Sequence, residues 1–112
     1  EFVINKPLDE LFRKHAESLG EDVIEDDFGF GSTDTGNVSH IIPTIHPHIK
    51  IGPSNLVGHT KEFCQAAAST MGDKALISGA KILASMGLEL IENVPLRNEI
   101  IEHHQTLREN LL

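Results

Sequence analysis

The 112-residue chain contains no tryptophan, no tyrosine and a single cysteine, Cys64. Without the two large amphipathic aromatics, a core has to be assembled from Leu, Ile, Val and five Phe. One cysteine excludes a disulfide framework within the chain, which fits a reducing, cytoplasmic setting. Long hydrophobic runs are also missing. The most apolar stretch, residues 75–91, is interrupted by Ser, Gly, Lys and Glu, and so does not read as a membrane span. No charged-then-apolar leader opens the chain, so no secretory signal is expected. Basic residues are scarce, nine Lys and Arg against 17 Asp and Glu, for a net charge of −8. That balance excludes nucleic acid and anionic membrane as the main partner, and solubility accounts for it. The opening Glu1-Phe2 is the translation of a common cloning site, which suggests a vector junction and an excised piece.

The length suits one small domain, and residues 1–112 read as a single segment. Residues 5–20 predict a helix, with Asn5 as cap, Pro7 in the first turn and Gly20 as the stop. Leu8, Leu11, Phe12, His15 and Leu19 share one face of it. Residues 21–40 carry loop chemistry after a short apolar step at Val23-Ile24. Residues 41–51 alternate: Ile41, Pro43, Ile45, Pro47, Ile49 and Ile51 on one parity, Thr44, His46, His48 and Lys50 on the other. This predicts a half-buried strand, restricted to an edge by its two prolines and ended by Gly52-Pro53. Thr60 caps a short helix to about Ala68, and Gly72-Asp73 allows a restart. A long helix over 74–91 is expected to carry Leu76, Ala80, Leu83, Gly87 and Leu90 on one face. Gly79, Ala80, Ala84 and Gly87 are small enough for close approach to another element. Asn93-Val94-Pro95 opens a last helix carrying Leu96, Ile100, His104, Leu107 and Leu111 on one face. The fold class expected is α/β, mostly helical with one or two strands and an incomplete sheet, because a lone strand makes no sheet.

Three chemistries offer themselves. Asp34-Thr35-Gly36 is the triplet of aspartic proteases, but those enzymes pair two carboxylates on strand-held loops, whereas more than half of this chain reads as helix. His46 and His48, two apart on a strand, point to one side and could share a metal. Pro47 between them and the lack of a third ligand favour a polar strand face, with His48 at the surface. His103 and His104 diverge by about 100° on a helix, which disfavours shared ligation, and Cys64 beside alanines reads as a small buried residue. His59 differs: it follows Gly58 and directly precedes the Thr60 cap, which holds it on a turn at the mouth of a helix.

The run GSTDTGNVSHIIPTIHPHIKIG at residues 31–52, followed by GHTKEFCQAAAS and a long Ala/Leu helix, resembles the C-terminal part of a zinc amidohydrolase. It is similar to the aminoacylase-1-like branch of the aminoacylase/glutamate-carboxypeptidase family, which includes p-aminobenzoyl-glutamate hydrolases and related dipeptidases. The resemblance implies a catalytic α/β domain with two zinc ions, amide hydrolysis by metal-activated water, and homo-oligomerisation through a lid domain that has no counterpart here. It also implies that His59, in His-Thr-x-x-Phe, is the last metal ligand in chain order. Asp34 and Asn37 match motif positions beside the site, and His46 matches an Ile-His-Pro position for which substrate contact is the expectation. The early His and Asp/Cys ligands and the catalytic glutamate have no counterpart either, so the isolated chain is expected to hold no catalytic residue, to keep no zinc and to be inactive. The substrate implied is a small N-acyl amino acid, a dipeptide or p-aminobenzoyl-glutamate. The alternative is a non-enzymatic acidic helical module that binds a partner.

Overall fold

A computed structural model describes residues 2–24, 34–52, 56 and 58–111. Five helices follow one another: α1 (Lys6–Ser18), α2 (Thr35–Ser39), α3 (Lys61–Ala67), α4 (Thr70–Glu92) and α5 (Val94–Leu111). The core forms where α1, α4 and α5 meet, from Leu8, Leu11, Ala16, Ile82, Met86 and Ile100, with Phe12, Val23, Ile45, Leu90 and Leu96 packed around it.

Each main helix is delimited by local chemistry. Asn5 caps α1, its side chain accepting from the Leu8 amide at 3.1 Å, and Gly20 leaves the helix with φ +82°. Only glycine takes that conformation at no steric cost, so the chain turns there rather than later. Thr60 caps α3 through the Phe63 amide at 3.2 Å. Asn93 ends α4 and also accepts from the Leu96 amide at 3.1 Å, opening α5.

Four sequence expectations are corrected. The long helix begins at Thr70, capped by Ser69, and runs through Gly72-Asp73 instead of restarting there. Gly72 is needed for closeness: a Cβ on it would lie 2.4 Å from the Ala66 carbonyl oxygen of α3. The buried face of α4 is Ala75, Ile82 and Met86, whereas Leu76 and Leu83 are 70% and 63% exposed. Both stripes have helical spacing, so periodicity could not choose between them; α1 and α5 cover the first. Part of the presumed loop, Thr35–Ser39, is a turn and a half of helix. Cys64 is exposed: among the described helices α3 packs against α4 alone, and it buries no residue of its own.

Residues 41–51 form no ladder among the described residues, and neither do Val23 and Ile24. Ile45 and Val23 reach the core, while Ile41, Ile49 and Ile24 stay exposed. Residues 25–33, 53–55 and 57 lie outside the described residues. So the middle of the expected 21–40 loop, with the Gly31–Thr33 portion of the motif, and the Pro53 strand end fall outside the description.

Candidate functional site

The Asp-Thr-Gly-Asn-Val-Ser motif folds into α2, and its last residue fastens it. Ser39 is fully buried; its hydroxyl donates to the Gly36 carbonyl at 2.6 Å and accepts from the Val3 amide at 2.9 Å. Its own carbonyl accepts from Nε2 of His104 at 2.8 Å, a ring only 3% exposed on α5. A hydrogen bond to a carbonyl requires the proton on Nε2, which sets the tautomer of His104. The sequence marked His104 as a core-facing position but gave no sign that it would hold the motif helix, because the partner lies 65 residues away.

From this buried base the motif presents its other polar groups outward. Asp34 and Asn37 are exposed, and Asp34 makes no side-chain cap to α2. Nδ1 of His46 lies 3.4 Å from the Thr35 hydroxyl, which ties the 41–51 segment to α2. The His46 and His48 rings stand 5.0 Å apart, tilted by 36°. His46 also borders a cavity of about 190 Å³, lined by Ile4, Asp9, Ile45 and Pro47 among others. Asp34, Asn37 and His46 are thus carried on two segments joined at Thr35.

His59 stands on a separate turn. It is the one non-glycine residue with positive φ among the described residues, at +61°, and it is exposed beside the Thr60 cap of α3. A left-handed conformation costs a non-glycine residue roughly 1–2 kcal/mol, and such strain gathers at functional positions. No three His, Cys, Asp or Glu side chains among the described residues come together as a metal-holding group. The described donors therefore do not by themselves fit a zinc ion, and His59 can supply one ligand.

A second polar cluster lies on the other side of α1. Glu89 of α4 accepts from Lys14 at 2.6 Å and lies 3.1 Å from Nε2 of His15. The Lys14 hydrogen bond holds the Glu89 carboxyl below its ordinary value, aided by His15 and opposed by desolvation. This cluster joins helices and contains none of the motif residues.

No family model matches the chain. Two curated proteins do. Xaa-Arg dipeptidase of Homo sapiens is 37% identical over 91 residues, 78% of this chain and 21% of that protein. Xaa-Arg dipeptidase of Mus musculus is 35% identical over 91 residues, with the same coverage. The chain is homologous to these dipeptidases. It spans about a fifth of their length. Such identity over most of the chain far exceeds what shared composition gives, and it sets the chain among relatives named for peptide hydrolysis. None of the described helices is long and apolar enough to cross a membrane.

Proposed function

We propose that the chain is the C-terminal part of the catalytic domain of a zinc amidohydrolase that cleaves the amide bond of a dipeptide, with N-acyl amino acids and p-aminobenzoyl-glutamate as related substrates. The observation that carries this reading is the 37% identity to a dipeptidase over 78% of the chain. Within it, His59 is one zinc ligand, set by the strained turn before α3. Asp34, Asn37 and His46 stand beside the site on α2 and the adjoining segment. Two zinc ions need several more ligands, which this reading assigns to chain beyond these residues. The same chain would pair residues 41–51 as a strand and complete an α/β domain. The isolated 112 residues are then inactive, and homo-oligomerisation in the longer enzyme runs through a lid domain. A purely partner-binding acidic module draws no support from relatives named as dipeptidases.

A chimera tests the assignment: the human Xaa-Arg dipeptidase with its matched 91 residues replaced by those of this chain. It is expected to hydrolyse dipeptides. His59→Ala in it should lose bound zinc by elemental analysis and most turnover with the circular dichroism unchanged, and His48→Ala should leave all three as they were. A folded, active chimera in which His59→Ala keeps zinc and rate overturns the ligand assignment. One that folds but turns over no dipeptide overturns the enzymatic reading.

A further inference from the structure

α2 is too short to hold its own shape. Its five residues fall far below the length at which an isolated helix is stable in water, so its place comes from what it is tied to. Among the described helices none packs its backbone against it. Ser39 is the one residue of α2 that is buried, so apolar packing does little of the tying. Polar bonds do it instead. The Ser39 hydroxyl donates to the Gly36 carbonyl at 2.6 Å and accepts from the Val3 amide at 2.9 Å, while the Ser39 carbonyl accepts from Nε2 of His104 at 2.8 Å. That carbonyl is among the last four of a helix, which have no partner within it, and an imidazole N–H is a fitting donor for one of them. His104 is itself held fast. It is 3% exposed and stands one turn beyond Ile100, a core residue whose carbonyl holds the Asn5 side chain.

We propose that His104 is a positioning residue for dipeptide hydrolysis: its bond to Ser39 fixes α2, and through α2 the groups Asp34, Asn37 and His46. The role rests on the enzymatic reading, which puts those three groups beside the site. The route to them is short. Asp34 is the N-cap residue of α2 and Asn37 lies in its middle, so both move when Ser39 moves. Thr35 passes the hold to His46, whose Nδ1 lies 3.4 Å from the Thr35 hydroxyl. Three polar groups on two segments thus share one buried anchor. A displacement of about 1 Å at such groups costs on the order of a hundredfold in rate, even when its cause lies far from the chemistry. The hold is internal to the 112 residues. Ser39 and His104 are already buried, so further chain packed on the outside leaves their bond in place. The chemistry of position 104 points the same way. Ile100 and His104 are the buried residues of α5. A leucine at 104 would fill comparable volume but leave the buried Ser39 carbonyl without this donor, and an unpaired buried carbonyl is destabilising.

Variants of residue 104 test this in two proteins. In the 112-residue chain, long-range proton–nitrogen NMR spectra should place the ring proton of His104 on Nε2. His104→Leu should shift the amide signals of residues 35–39 and the ring signals of His46, and leave those of α3 alone. His104→Gln carries an amide N–H near the place of Nε2 and should return them toward wild type. The reaction is read in the human Xaa-Arg dipeptidase chimera, its graft carried over residues 2–111 so that Val3, Ser39 and His104 enter together. There His104→Leu should lower kcat/KM for a dipeptide roughly ten- to hundredfold, and His104→Gln should recover most of it. Where His104→Leu does not fold, His104→Asn, polar but too short to reach the carbonyl, decides in its place. Ile82→Val, a core change on α4, which does not pack against α2, should leave kcat/KM within about twofold. An active chimera in which His104→Leu turns over like wild type, or in which Ile82→Val falls as far, overturns the positioning role and leaves the enzymatic reading standing. A chimera that folds but is inactive before any change at 104 overturns that reading and the role with it. A His104 ring proton on Nδ1, or α2 signals that ignore His104→Leu, overturns the hold itself.

Discussion

Asn5 is expected to behave unlike an ordinary helix cap. Its Oδ1 accepts from the Leu8 amide at 3.1 Å, and its Nδ2 donates to the Ile100 carbonyl of α5, also at 3.1 Å, with the residue fully buried. Loss of the cap costs about 1 kcal/mol, and loss of the bridge to α5 costs about another 1 kcal/mol. Asn5→Ala should therefore destabilise the chain by roughly 2 kcal/mol. Asn5→Ser keeps the cap and loses only the bridge, so it should cost about half as much. Asn5→Asp keeps an excellent cap but turns a buried carboxylate oxygen toward the Ile100 carbonyl, with no proton to share. In an isolated helix Asp and Asn cap equally well; here Asp should be at least as damaging as Ala. Urea unfolding in dilute solution, followed by far-UV circular dichroism, gives the order directly. Wild-type stability for Asn5→Asp, or equal losses for Ser and Ala, would refute the two-part role.

Three further outcomes are expected. Ile82→Ala should cost about 2–5 kcal/mol, whereas Leu76→Ala in dilute solution should stay within about 0.5 kcal/mol; equal losses by urea titration would mean that the covered face of α4 is misassigned. Glu89 has its carboxyl held low in the folded chain, first by Lys14, so the stability it adds is present above its ordinary value of 4.5 and is lost as pH falls below it. Glu89→Gln should flatten that acid limb of the stability profile, and an unchanged limb would count against the cluster. His59→Gly should leave the fold as stable as wild type or up to about 1 kcal/mol more stable, because glycine accepts φ +61°; a clear loss of stability would show that the turn is not strained.

Much of this was legible from local chemistry. The Asn5 and Thr60 caps, the Gly20 stop and the Asn93 start depend on a few neighbouring residues, and each stands where its chemistry put it. The face of α5 was legible too, since Ile100 and His104 lie on a single apolar stripe. The face of α4 was not: two stripes compete in its sequence, and only the position of α1 decides between them. Of the apolar parity over 41–51, Ile45 reaches the core, whereas Ile41 and Ile49 stay exposed. Pairing needs a partner strand, and none occurs among the described residues. At the site, the motif marked Asp34, Asn37, His46 and His59, but the hold of His104 on Ser39 spans 65 residues and leaves no short-range trace.

The fastening of Ser39 bears on how the molecule opens. An amide at the third residue of a chain would ordinarily exchange its hydrogen almost at once, since termini fray. The Val3 amide instead ends on the Ser39 hydroxyl, in a site whose other wall is His104. To expose that amide, the N-terminal strand of backbone must leave α2; to free α2, the bond from α5 must break. The Val3 amide should therefore exchange far more slowly than a frayed terminus, and deuterium uptake there reads out how often the N-terminal segment lets go of Ser39.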